Sequence, residues 1–128
     1  MHLTLDQHLP RGTLLLENTH DVTSRRDALL TASGIALQFP KWVDGRAYSQ
    51  ARLLRSRLAY AGPLLATGEV LVDMLPLLQR CGFSVAVLRA DQDIVAAQRA
   101  LGYFEGHHEH YQADLISKLP RFHRVAVA

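Results

Sequence analysis

Residues 35–67 read IALQFPKWVDGRAYSQARLLRSRLAYAGPLLAT, and the order of patterns in this stretch decides the fold. Ile35 to Phe39 is an apolar run between Gly34 and Pro40, the pattern of a short buried strand. Leu64 to Thr67 is a second such run, introduced by Gly62-Pro63. Between them Ala47, Ala51, Leu54 and Leu58 recur at the i, i+4, i+7, i+11 spacing of one apolar helix face. That spacing predicts a helix from near Asp44 or Gly45 to about Ala59. Strands separated by a helix of this length favour parallel pairing through a right-handed crossover.

The alternation continues on both sides. Upstream, Thr13 to Leu16 follows Pro10 and Gly12 and reads as a first or edge strand. Thr23 to Leu30 reads as a short helix capped by Thr23 or Ser24 and stopped by Gly34. Downstream, Gly68 marks a turn and Asp73 is placed to cap a helix carrying Leu75, Leu78 and Cys81, with Pro76 tolerated in its first turn. Gly82 closes that helix, and Phe83 to Leu88 has the apolar, β-branched content of a buried strand. Asp91 or Asp93 can cap a further helix with Ile94, Ala97 and Leu101 inward and Gly102 as its stop. His110 to Leu115 and Arg124 to Val127 could each add an edge strand.

The expectation is therefore one α/β domain over residues 1–128, with a mostly parallel sheet of about four or five strands and crossover helices. Ligands of such sheets bind beyond the carboxyl ends of the strands. Lys41 to Arg46, Gly68-Glu69 and Arg89 to Asp93 should then share one rim.

Composition narrows the function classes. The chain has 128 residues, 48% of them hydrophobic, and a formal net charge of +2, which excludes a polybasic tail or tether. The single Cys81 allows no internal disulfide, four-cysteine zinc site or C-x-x-C pair, and suits a reducing compartment. No run approaches the ~18 apolar residues of a membrane helix, and Met1 to Asp6 has no basic region before an apolar run. The expectation is a cytoplasmic protein without membrane contact.

Of 14 basic residues only two are lysine, and four of the 12 arginines fall between positions 46 and 57. On a helix Tyr48, Arg52 and Arg55 stack at i, i+4, i+7 beside the apolar stripe. Arginine forks pair bidentately with carboxylates and other oxyanions, and a helix start after Asp44-Gly45 adds backbone N–H groups. The candidate ligand-binding residues are Asp44, Gly45, Arg46, Tyr48, Ser49, Arg52, Arg55 and Glu69. The alternative is a solvated face whose arginines pair with Asp44, Glu69 and Asp73 while their stems cover apolar surface.

Other groups carry less. His107, His108, Glu109 and His110 hold metal-ligating types but lack distant further ligands, so they read as an exposed turn or an adventitious metal site. Cys81 reads as a buried small hydrophobe. Ser49 lacks a G-x-S-x-G setting, and neither G-x-x-x-x-G-K-[ST] nor G-x-G-x-x-G occurs. Trp42 reads as cover for the core edge, or, with Tyr48 and the arginines, as a platform for stacked bases.

Phe39 through Arg55, with Asp44-Gly45-Arg46, Tyr48-Ser49 and Ala51-Arg52-x-Leu54-Arg55, resembles a bacterial family known as domain of unknown function 934. The resemblance continues in Gly68-x-Val70-Leu71-x-Asp73-x-Leu75, in Arg80-Cys81-Gly82-Phe83 and in Tyr111-Gln112, and spans roughly residues 35 to 112. Ala47 stands where the family usually has Gly, and Glu69 where it has Asp. Members are described as oxidoreductases involved in sulfite reduction, so the resemblance implies a role in assimilatory sulfur metabolism and cysteine biosynthesis. It supplies no catalytic residue, and this chain shows no flavin, nicotinamide, iron–sulfur or dithiol pattern.

Three functions follow as expectations. One is a cofactor-free accessory protein whose Arg-rich helix binds sulfite reductase, another acidic sulfur-assimilation enzyme, or a small oxyanion. A second is an enzyme of the same pathway, with Arg46, Ser49 and Arg52 holding sulfite, sulfate or a sulfonucleotide and Asp44 or Glu69 in acid–base work. The third, disfavoured by the near-neutral charge, is a single-stranded nucleic-acid binding module.

Overall fold

A computed structural model of the chain describes residues 1–106. Five strands, β1 (His2–Thr4), β2 (Thr13–Leu16), β3 (Gly34–Phe39), β4 (Leu64–Gly68) and β5 (Val85–Val87), form one sheet in the order β1-β5-β4-β3-β2. Every pairing is parallel. Four helices connect or follow them: α1 (Arg26–Leu30), α2 (Arg46–Ser56), α3 (Leu75–Cys81) and α4 (Ile94–Gly106). The α/β architecture and its crossovers are those expected from the alternating pattern.

From β2 to β5 each strand is laid down beside its predecessor in the same direction. Right-handed crossovers then place their helices on one face of the sheet. The core shows this arrangement. Ile35, Leu37, Phe39, Leu64, Ala66, Ala86 and Leu88 turn toward a single cluster that holds Leu29, Ala47, Ala51, Leu54, Leu75, Leu78, Ala97 and Leu101 from the four helices. Ala47 and Ala51 are fully buried. α2 packs against both β3 and α3. Truncating a buried Leu of this cluster, such as Leu54, would cost about 2–5 kcal/mol.

Parallel sheets ordinarily have both faces covered. Here β1 and β2 are consecutive in sequence but stand at opposite edges, so residues 5–12 cross the second face as a strap. Leu9 of the strap packs on Ala36, Leu65 and Val87, and Gln7 Nε2 donates to Leu88 O at 2.8 Å. A cavity of about 290 Å³, floored by Leu65, Val85 and Val87, opens beside it.

Several local expectations need correction. β1 was not anticipated, because three residues with one apolar side chain give no periodicity. Asp21, not Thr23 or Ser24, caps the first helical segment: its carboxylate accepts from Thr23 N at 2.9 Å and opens a 3₁₀ turn over Val22–Arg25. Asp73 lies inside a 3₁₀ turn, Val72–Met74, rather than capping α3. The strand expected over Phe83 to Leu88 is shortened to Val85–Val87, and Ser84 stitches it to β4 through Ser84 N to Leu64 O at 2.9 Å and Leu64 N to Ser84 Oγ at 3.1 Å. Of the two candidate caps for α4, Asp93 does the work, accepting from Val95 N and Ala96 N. Gly102 does not stop that helix, since a single glycine costs only about 1 kcal/mol and nothing there requires a turn. The strands expected over 110–115 and 124–127 lie outside the described residues.

Candidate functional site

Because all strands are parallel, the segments leaving β2, β3, β4 and β5 share the carboxyl-end rim of the sheet. The segment after β3 is a tight turn closed by Asp44 N donating to Lys41 O at 3.0 Å. Its two central residues are Trp42 and Val43, 53% and 67% exposed. Both ends of the turn are anchored. Trp42 N donates to Glu69 Oε2, at the end of β4, across 3.2 Å. Asp44 Oδ2 accepts from Asn18 Nδ2 at 2.7 Å, and Asp44 Oδ1 accepts from Arg46 N and Arg46 Nε at 3.1 and 3.2 Å. Arg46 Nη2 completes a fork on Asp44 Oδ2 at 3.0 Å. The Arg46 backbone N–H, then its guanidinium, then Asn18 hold the Asp44 carboxyl below its ordinary range.

Glu69 is positioned by the tight exit of β4. Glu69 N donates to Phe39 O at 2.8 Å, which brings the backbone of Gly68 against the Phe39 carbonyl. Gly68 has φ +95°, and a Cβ there would collide with that carbonyl oxygen. Next along the rim, Arg89 forks onto Asp91 at 2.6 and 2.9 Å, and that hydrogen bonding pulls the Asp91 carboxyl down to about 2. Arg89 N also donates to Val70 O, joining the exits of β4 and β5. On the other flank the buried Gln50 of α2 donates to Glu17 O and His20 O, both at 2.9 Å, and so fixes the segment that carries Asn18.

The chain matches, over residues 13–122, the family of bacterial proteins of unknown function DUF934. The chain belongs to the DUF934 family. The match covers most of its length and begins and ends outside the span read from the sequence. No curated protein and no solved structure matches it.

Within this DUF934 chain the eight candidate residues fall into three groups. Asp44, Gly45, Arg46 and Glu69 come together at the turn, with Gly45 at the amino-terminal cap of α2. Ser49 and Arg52 are exposed along the outward face of α2. Tyr48 is half-buried and Arg55 leaves the surface. Tyr48 packs edge-on against Phe39, with ring centroids 5.0 Å apart, and burial, with a smaller contribution from Cys81, pushes its phenol up to about 12.

Arg55 departs furthest from expectation. It is 5% exposed, and its guanidinium donates to Gly82 O at 2.9 Å, Tyr60 O at 2.8 Å and Gly62 O at 2.7 Å. Burial lowers its pKa to about 10. The continuous Tyr48, Arg52, Arg55 surface does not form, because α2 is covered by the sheet below and α3 at its side, and Tyr48 and Arg55 lie on the covered flank. The outward face is Arg46, Ser49 and Arg52.

Sequence reasoning placed Arg89 to Asp93 on the rim but missed Asn18 and Gln50, whose roles depend on contacts across 26 to 33 residues of sequence. It also placed Trp42 at the core edge, whereas the side chain projects from the turn. Cys81 is buried, as a small hydrophobe would be. Among the described residues no three His, Cys, Asp or Glu side chains converge to hold a metal ion, and no helix is long and apolar enough to cross a membrane. The His107 to His110 tract lies outside the described residues.

Proposed function

We propose that this DUF934 chain is a cytoplasmic accessory protein of assimilatory sulfite reduction that docks an acidic surface of a partner enzyme through Arg46, Ser49 and Arg52. The observation that carries the reading is the outward exposure of Arg46 and Arg52 on a helix whose opposite face is locked into the core. The pathway comes from the family resemblance. A free oxyanion is the weaker ligand, because the Asp44 carboxylate already occupies the anion position before α2, bonded to Arg46 N and forked by the Arg46 guanidinium. A partner's carboxylates need only meet the outer edges of the guanidinium groups.

The enzyme alternative has less physical support. A general acid or base works best with a pKa near the operating pH. Hydrogen bonds from Arg46 and Asn18 move Asp44, one of the two carboxylates of that alternative, the other way, below its ordinary range.

The test is binding of the full chain to purified sulfite reductase, followed by titration calorimetry at two salt concentrations. Wild type should bind, with affinity falling as salt rises, and Arg46→Ala combined with Arg52→Ala should weaken binding about tenfold or more. Equal affinity of the double variant would remove these residues from the interface, and equal complementation of a cysteine auxotroph would remove them from the function.

A further inference from the structure

Turn positions are usually filled by Gly, Pro, Asn, Asp or Ser, for conformational reasons or because they are wet. The Lys41 to Asp44 turn instead sets Trp and Val at its two central, most exposed positions. Neither belongs to the core clusters, so the fold gains little from them. The turn is also fixed: Glu69 holds its leading edge, and Asn18 and Arg46 hold its trailing carboxylate. An apolar pair presented on an anchored turn has already lost much of the freedom that binding would otherwise have to remove.

From these observations, and resting on the docking reading above, we infer that Trp42 and Val43 form the apolar hot spot of the interface and insert into a hydrophobic pocket ringed by carboxylates on the partner protein. The charge around the turn selects that occupant. Lys41, Arg46, Arg52 and Arg57 are all exposed, against two carboxylates at the turn, Asp44, which is forked by Arg46, and Glu69, which is bonded to the Trp42 backbone. Exposed basic side chains therefore outnumber the carboxylates beside an apolar tip, the complement of an acidic rim around an apolar hole. Interface energy concentrates at such desolvated aromatic anchors, while charges at the rim set orientation and association rate.

The same turn suits a nucleic acid poorly. Stacking platforms for single strands use successive aromatic rings, whereas the neighbour of Trp42 is Val43.

Trp42 is the only tryptophan, so its emission reports the tip directly. Purified sulfite reductase, labelled to contribute no tryptophan signal, is titrated into the full chain and binding is repeated with Trp42→Ala, Trp42→Phe and Val43→Ser. Emission should shift to the blue and lose sensitivity to acrylamide on binding. Trp42→Ala should weaken binding roughly 30-fold and Val43→Ser severalfold, while Trp42→Phe recovers most of the loss. Both positions are exposed, so the melting temperatures of all three variants should stay close to wild type. If Trp42→Ala binds as tightly as wild type while the double arginine variant does not, the hot spot is refuted and the docking reading stands. Absence of wild-type binding refutes both. A blue shift with mixed single-stranded oligonucleotides, steeply reversed by salt, replaces the protein partner with nucleic acid.

Discussion

The backbone N–H of Trp42 and the carboxylate of Glu69 meet at 3.2 Å, which ties the exit of β3 to the exit of β4. Glu69 thus acts on the candidate surface through the turn, as a positioning residue. Glu69→Ala should loosen Trp42 with little effect on folding, because a single solvent-accessible hydrogen bond contributes about 0.5–1.5 kcal/mol. Steady-state anisotropy of Trp42 should fall in the variant, and affinity for the partner should drop severalfold. Unchanged anisotropy would show that Asn18, Arg46 and Asp44 hold the turn without it.

Arg55 is an internal strut, not part of the surface. Arg55→Met would match its apolar stem but strand the carbonyls of Gly82, Tyr60 and Gly62, so it should cost about 3–5 kcal/mol in urea denaturation. Arg55→Lys keeps the charge but cannot reach all three carbonyls, and should recover less than half of that loss. If Arg55→Met instead melts like wild type and loses partner binding, Arg55 belongs to the interface after all.

Two backbone positions give opposite signs. Ala59 adopts φ +56°, a left-handed conformation that costs a non-glycine residue about 1–2 kcal/mol, partly offset by glycine's greater unfolded entropy. Ala59→Gly should therefore stabilise by about 0.5–1 kcal/mol. Gly68→Ala should destabilise by at least about 2 kcal/mol, since strain and collision with the Phe39 carbonyl add. Thermal melts of the pair would read both, and a neutral Gly68→Ala would contradict the tight β4 exit.

Tyr48 predicts behaviour at alkaline pH. Burial lifts its phenol to about 12 in the folded chain, from an unfolded value of 10. The unfolded chain then releases the proton first, so this contribution to stability is intact below pH 10 and is lost as pH rises through 12. Arg55, lowered to about 10 by burial, contributes the opposite slope, so the comparison must be between variants. Tyr48→Phe should make the decline between pH 10 and 12 shallower. Parallel pH profiles for the two proteins would place the Tyr48 hydroxyl in water.

The sheet was legible because its signals are local. Apolar runs bounded by Gly and Pro located β2, β3 and β4, and four residues at helical spacing located α2. Side-chain facing was less accessible. The spacing of Ala47, Ala51, Leu54 and Leu58 marks the centre of the buried face but not its width, which α3 extends until Arg55 is enclosed. Asn18 carries no local signal, because its partner Asp44 arrives from another strand exit, whereas the strand pattern itself puts Arg89 on the rim. Trp42 was misplaced for a related reason: hydrophobicity suggests burial, and only the turn shows that the chain holds this side chain out.

The pairing of His2 with Val85 has a consequence for how the molecule is made. Synthesis runs from the amino terminus, so β1 must wait until β5, most of the described chain later, has followed before its neighbour exists. Strands β2, β3 and β4 can assemble in order meanwhile, each beside the last. The strap crosses the sheet that these strands build, so the pairing of β1 with β5 closes the longest loop among the described strands and carries the largest single closure entropy.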